Sequence, residues 1–134
     1  MYRAYGAEFT EEISALEAGM ERFIDLSRDF IGCNNIKERQ SKGVATKLAY
    51  LVFDDQIAAE CFGNEAVFAE SLLSGIITSG AYGHRVGHSI AFAYLKPEHC
   101  KEGMSLTVET ALGSRKCHVS INASYDPDNI KLRT

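Results

Sequence analysis

His84 and His88 lie four residues apart in Gly83-His84-Arg85-Val86-Gly87-His88, a spacing that lets two imidazoles share a metal ion when both sit on one helix face. Glycines at 83 and 87 argue against a helix there. No carboxylate or third ligand type follows nearby, so the pair reads as two loop histidines, and no metal site is expected. Just before them, Thr78-Ser79-Gly80-Ala81-Tyr82-Gly83 offers two hydroxyls and glycines that would let backbone approach a ligand closely. It lacks the strand-to-helix order of a phosphate cradle and the G-x-S-x-G setting of a nucleophilic serine. The bland alternative is a strand end running into a glycine-shaped loop. Glu11, Glu12 and Glu17 read as solvated charges, and Glu65, after Gly63-Asn64, as a turn cap or an ion-pair partner. No catalytic carboxylate pair is evident. Cys33, Cys61, Cys100 and Cys117 form no CxxC unit, so they are expected to be free thiols rather than zinc ligands. A nucleophilic cysteine among them would need a base that only the fold could bring.

Composition narrows the classes. The 134 residues are the size of one domain, with 46% hydrophobic and 24% charged side chains, which suits a packed core and argues against disorder. The net charge of −4 and the lack of a basic stretch make nucleic acid an unexpected partner. No apolar run approaches the roughly 20 residues a membrane helix requires, so no membrane span is expected. The opening MYRAYGAEFTEE lacks the apolar core of a signal peptide. A cytoplasmic setting, or an organellar matrix, is the default.

The elements that must position these residues change character near residue 43. Ser14 and Glu17 have capping-box spacing and predict a helix over 14–20, limited to a turn or two by Gly19. Phe23, Ile24 and Leu26 form an apolar cluster in the sequence. Residues 32–42 predict a short surface helix that ends at Gly43. Strand signals follow: 45–53, a second candidate at 57–61, then 66–68, 72–79, 89–95, 105–110 and 115–123. The last two form a hairpin through Gly113-Ser114, with Cys117, Val119 and Ile121 on one face. Residues 80–87 are expected as a glycine-rich loop, Lys96-Pro97 stops a strand, and the tail 125–134 is expected to cross the surface. Five to seven short strands without crossover helices exclude a parallel sheet and favour an antiparallel barrel or sandwich.

Four segments in order resemble one family. They are RAYGAEFTEEISALEAGMERFI (3–24), RDFIG (28–32), GIITSGAYGHRVGHSIAFAYL (75–95) and YDPDNIKLR (125–133). Together they resemble the glycine cleavage T-protein (aminomethyltransferase) family, and most of all its branch in the folate-binding halves of dimethylglycine and sarcosine dehydrogenases. The resemblance spans nearly the whole chain. It implies a mainly β chain, an antiparallel Greek-key-like barrel over 44–134, preceded by a short helical and irregular segment, 1–43, that ends the family's middle region. It also implies tetrahydrofolate as cofactor, one-carbon transfer as the reaction, and an N-terminal folate-binding part, on the same or another chain, as partner. The family's catalytic aspartate and most of its folate contacts have no counterpart here, so no catalytic residue is expected and most of the tetrahydrofolate pocket is expected to lie outside this chain. By analogy the pocket-facing candidates are Ser79, Gly80, Tyr82, His84 and Tyr125. The chain departs from the family pattern at Cys33, Ala66, Ser71 and His88, which changes turn chemistry and removes positive charge. A non-catalytic binding or assembly module derived from the barrel, able to form a homodimer, is the alternative function.

Overall fold

A computed structural model describes residues 3–133. Residues 1, 2 and 134, at the outer ends of the two expected segments, lie outside the described residues. Helix α1 spans Cys33–Lys42. Gly32 begins it in the left-handed region at φ +93° and Gly43 closes it at φ +83°, conformations that glycine adopts without a Cβ penalty. The strands are β1 (Lys47–Phe53), β2 (Ala66–Ala69), β3 (Leu72–Gly83), β4 (His88–Leu95), β5 (Ser105–Thr110) and β6 (Gly113–Ser120).

They close a six-stranded antiparallel barrel in the order β1-β4-β3-β2-β5-β6, with β6 returning to β1. Strands β2, β3 and β4 run as consecutive hairpins, and β1 lies beside β4, which is a Greek key. Alternation sets the interior. Ala49, Leu51, Phe53, Val67, Ile77, Leu95, Leu106, Val108, Cys117 and Val119 meet in one core. Each fully buried aliphatic side chain of this size contributes about 1.5–3 kcal/mol.

β4 departs from the usual large-in, small-out pattern. Its inward residues are Ala91, Ala93 and Leu95, whereas Ile90, Phe92 and Tyr94 point outward and are still at most 8% exposed. A strand buried on both faces must be covered from outside. That cover consists of the irregular segment 3–24 and the C-terminal tail.

Several local expectations are corrected. Residues 57–61 form no strand; carbonyls of Ile57 and Ala59 are instead taken by Ser89 and Arg115. The loop expected at 80–87 shrinks to its second half. β3 continues to Gly83, paired with β4 as far as His88, because a twelve-residue ladder outweighs the weak strand propensity of glycine. The capping box at Ser14 forms, with the Ser14 amide donating to Glu17 Oε2 (2.9 Å) and the Glu17 amide to Ser14 Oγ (3.4 Å). It starts only turns, since Gly19 is left-handed at φ +66° and the Glu17 carbonyl accepts from the Leu48 amide of β1 at 2.8 Å. Glu17 is not a solvated charge; it is buried and paired with Arg39 at 3.1 Å. Phe23 is 64% exposed, so no cluster forms around it. The β5–β6 turn is Ala111-Leu112, and Ile121 lies beyond β6, exposed.

Candidate functional site

The segment 3–24, hereafter the strap, lies against the outer face of β4 and the middle of β3. Glu8 is its anchor and is fully buried. One carboxylate oxygen accepts from Thr78 Oγ1 (2.6 Å) and from Ser79 Oγ (2.5 Å); the other accepts from the Ala4 amide (2.7 Å). Its backbone carbonyl accepts from the Tyr94 hydroxyl at 2.7 Å. Burial acts to raise the Glu8 pKa, but the Ser79 and Thr78 hydroxyls and backbone amides outweigh it and hold the carboxyl below its ordinary value.

Strap and tail do not meet over the middle of this face. Between them opens a cleft of about 870 Å³. Tyr50, Ile90 and Phe92 line it as an aromatic and aliphatic floor, and the Tyr50 and Phe92 rings sit 5.8 Å apart. The strap contributes Arg3 and Arg22; the tail contributes Tyr125, Asp126, Asp128, Lys131 and Arg133. Four cations thus line the cleft against two carboxylates. The Asp126 carboxylate is engaged by the backbone amides of Ile130 and Lys131, at 2.9 and 3.0 Å. An apolar floor with convergent polar groups at the rim is the usual make-up of a small-molecule site, and this rim favours an anionic ligand.

Tyr125 is the focus of the rim. Its phenol oxygen accepts from Arg85 Nη1 (2.5 Å) and Lys131 Nζ (2.9 Å), and both cations also sit over its ring, at 5.3 and 4.4 Å from the centroid. Lys131 and then Arg85 lower the phenol pKa from its ordinary value. The tail is held to the floor by Tyr50 and Ser124, whose hydroxyls are 3.1 Å apart, and it carries left-handed φ values at Asp126 (+49°) and Asn129 (+58°).

The five residues singled out in the sequence fall in different places. Tyr125 lines the cleft. Ser79 binds Glu8 beneath the strap. Gly80 packs against its own chain, where an added Cβ would come within 2.8 Å of the Cys61 Cβ. The Tyr82 ring meets the His84 ring edge-on at 5.1 Å, and His84 is exposed. His88 donates its Nδ1–H to the carbonyls of Phe53 (2.8 Å) and Asp55 (3.1 Å). Among the described residues no group of three His, Cys, Asp or Glu is placed to hold a metal ion. Glu65 is a turn cap, accepting from the amides of Phe62 and Gly63.

Arg115 carries signal that the sequence reading missed. It shares inward parity with Cys117 and Val119, an odd place for an arginine unless it is paired. It is 4% exposed, binds Asp55 through two nitrogens (2.6 and 3.0 Å) and lies over the Phe53 ring at 4.3 Å. This ion pair ties the 54–61 segment to the barrel. Two of the buried thiols are structural. Burial pushes Cys61 up to about 11 and Cys117 up to about 12, so neither offers a thiolate nucleophile.

Residues 47–126 match the family model described as the glycine cleavage T-protein C-terminal barrel domain. Dimethylglycine dehydrogenase, mitochondrial, of Mus musculus is 34% identical over 111 residues, covering 81% of this chain and 12% of the mouse protein. A probable aminomethyltransferase of Pyrococcus horikoshii is 31% identical over 142 residues, covering 98% of this chain and 35% of that protein. The crystal structure of glycine cleavage system aminomethyltransferase T from Bartonella henselae shares the fold, with a TM-score of 0.80 over 91% of this chain and 35% of that one, at 17% identity. The chain therefore spans between about an eighth and about a third of the length of these relatives.

Proposed function

Because the chain belongs to the glycine cleavage T-protein C-terminal barrel family, we propose that it closes the tetrahydrofolate pocket of an aminomethyltransferase-type enzyme during one-carbon transfer. The observation that carries this is the cleft beside Tyr125. A folate is a flat heteroaromatic system ending in carboxylates, and the cleft has an aromatic floor at Tyr50 and Phe92 with a rim of Arg3, Arg22, Lys131 and Arg133. Those residues fit such a ligand by chemistry: the floor would hold the ring system and the cations its carboxylates.

Bound tetrahydrofolate would supply the nitrogen that accepts the one-carbon unit. This chain's share is wall and closure. The strap and tail exclude water over the floor, which shields a reactive adduct from hydrolysis. Tyr125, between two cations, orients the polar end of a ligand. We assign no catalytic residue to this chain. In this reading residues 1–43 complete a preceding folate-binding region, residues 44–134 are the closing barrel, and the setting is cytoplasmic. Among the described residues no helix is long and apolar enough to cross a membrane. The exposed Leu72, Leu73 and Ile76 give that preceding region an apolar face to pack on.

Calorimetric titration with tetrahydrofolate tests the reading. Saturable binding in the micromolar range, weakened at least fivefold in Tyr125→Phe and Arg85→Ala, is the expected result. No detectable heat even with the N-terminal folate-binding part of an aminomethyltransferase supplied would remove the folate reading and leave a derived assembly module in its place.

A further inference from the structure

Glu8 presents a physical puzzle. A fully buried carboxylate is costly to desolvate, and among the described residues no cation lies within ion-pair distance of it. Three hydrogen-bond donors offset that cost: the Ala4 amide from the strap itself, and Thr78 and Ser79 from β3. Such an arrangement fixes a register but adds little net stability.

Beyond that seat the strap is held by two ion pairs, Glu17–Arg39 (3.1 Å) and Glu21–Lys47 (3.4 Å), and by few backbone contacts. Between residues 3 and 24 it has turns, one isolated bridge from Tyr5 to Phe9 and a single 3-10 turn at Glu21–Phe23, with no helix or strand ladder. Leu16 and Ala18 are its buried apolar side chains, whereas the barrel has a continuous core from six strands. Its backbone links to the barrel include the Glu17 carbonyl on Leu48 and the Glu8 carbonyl on Tyr94. A segment with few apolar contacts and few ladder bonds opens at a smaller free energy than the core it rests on. Yet this segment carries Arg3 and Arg22 into the cleft wall.

We propose that residues 3–24 form a strap that opens as one unit while the barrel stays folded, and that the Glu8 carboxylate seated on Thr78 and Ser79 is its latch. Opening uncovers the Phe92–Tyr94 face and admits ligand to the cleft; closing returns Arg3 and Arg22 to its wall. Glu8 is thus a positioning residue, acting on the ligand through the strap. That the ligand is a folate rests on the function proposed above; the latch does not.

Hydrogen exchange by mass spectrometry on the full chain separates the two ideas. Wild type is compared with Glu8→Gln and with Ser79→Ala, the second made on the barrel side so that the strap sequence is untouched. The latch requires amides within 4–24 to exchange at least tenfold faster in Glu8→Gln, and faster in the same amides in Ser79→Ala, while β1, β3 and β4 keep wild-type protection. Unchanged strap rates overturn it, as does loss of protection in strap and barrel together. A parallel arm adds 5-formyltetrahydrofolate to wild type. Slower strap exchange shows a folate closing the strap. No change, alongside loosened variants, leaves the latch standing and removes the folate reading.

Discussion

The Tyr94 hydroxyl donates a 2.7 Å hydrogen bond to the backbone carbonyl of Glu8. Tyr94 lies on the outward face of β4, so this bond joins a barrel strand to the strap at the residue whose carboxylate also grips β3. Burial, and next the nearby Glu17, push the Tyr94 phenol up to about 12, so the donor keeps its proton throughout the range in which the protein folds.

Tyr94→Phe is expected to keep the ring packing and lose the bond, leaving the Glu8 carbonyl without its partner. The cost should be about 1–2 kcal/mol. It should be read in the exchange rates of strap amides, with much less change in the melting of the barrel.

The Glu8 carboxyl also predicts a pH dependence. Its pKa is lower in the folded protein than the ordinary 4.5, so its contribution is fully present above the unfolded value and is lost as the pH falls through the folded one. The groups that face it are the neutral hydroxyls of Thr78, Ser79 and Tyr94 and the Ala4 amide, which do not titrate in that range. Strap protection should hold level from neutral pH down to about the unfolded value and fall below it. In Glu8→Gln the acid step should vanish from the strap. Asp55, lowered by Arg115, remains to weaken the barrel itself in acid.

Arg115 is a costly charge to remove. Arg115→Met fits the space beside Phe53 but leaves Asp55 without its cation and the Ile57 and Ala59 carbonyls with one donor fewer. Because Asp55 is 31% exposed and water can reach it, a loss of about 3 kcal/mol is expected, at the low end for breaking a buried pair. Urea denaturation should show it. Arg115→Lys should recover only part, since a lysine cannot bind Asp55 through two nitrogens.

Gly75 is a steric requirement. A Cβ there would stand 1.9 Å from the Tyr94 carbonyl oxygen, across the β3–β4 ladder. Neither backbone can yield without breaking pairing, so Gly75→Ala should cost about 3 kcal/mol or more. A fall in melting temperature of the whole chain, rather than a local loosening, is the expected signature.

Much of the barrel was legible because alternation and turn residues are local signals. β1, β5 and β6 show themselves in runs such as Leu48 to Phe53 and Leu106 to Val108, and α1 in its closing Gly43. The misreadings share one cause, which is tertiary context. Gly80 looked like a loop residue, yet it lies in a ladder where Cys61 crosses closely. Residues 57–61 look like a strand, yet the Ile57 and Ala59 carbonyls serve a buried arginine 58 and 56 residues away. β4 showed its alternation but not its direction, because alanines fill the inside only when something else covers Phe92 and Tyr94 outside. The site was legible in part. Tyr125 came from a family motif, while Arg3 and Arg22 reach the cleft, and Arg85 reaches Tyr125, only through the fold.

Tyr125 makes the final test of that cleft. Lys131 and Arg85 both donate to its phenol oxygen and favour the phenolate, so its titration should begin below the ordinary value of 10. The difference in ultraviolet absorbance between wild type and Tyr125→Phe isolates this one tyrosine. The midpoint should move up in Arg85→Ala, because one of the two cations that stabilise the charged form is gone. It should also move up at high salt, since the group is exposed enough for mobile ions to screen it. If the same Arg85→Ala variant weakens tetrahydrofolate binding, the cations that lower the phenol pKa are those that hold the ligand's carboxylates. If the midpoint moves and binding does not, the cluster fixes the tail alone, and the ligand's anionic end belongs with Arg3 and Arg22 on the strap.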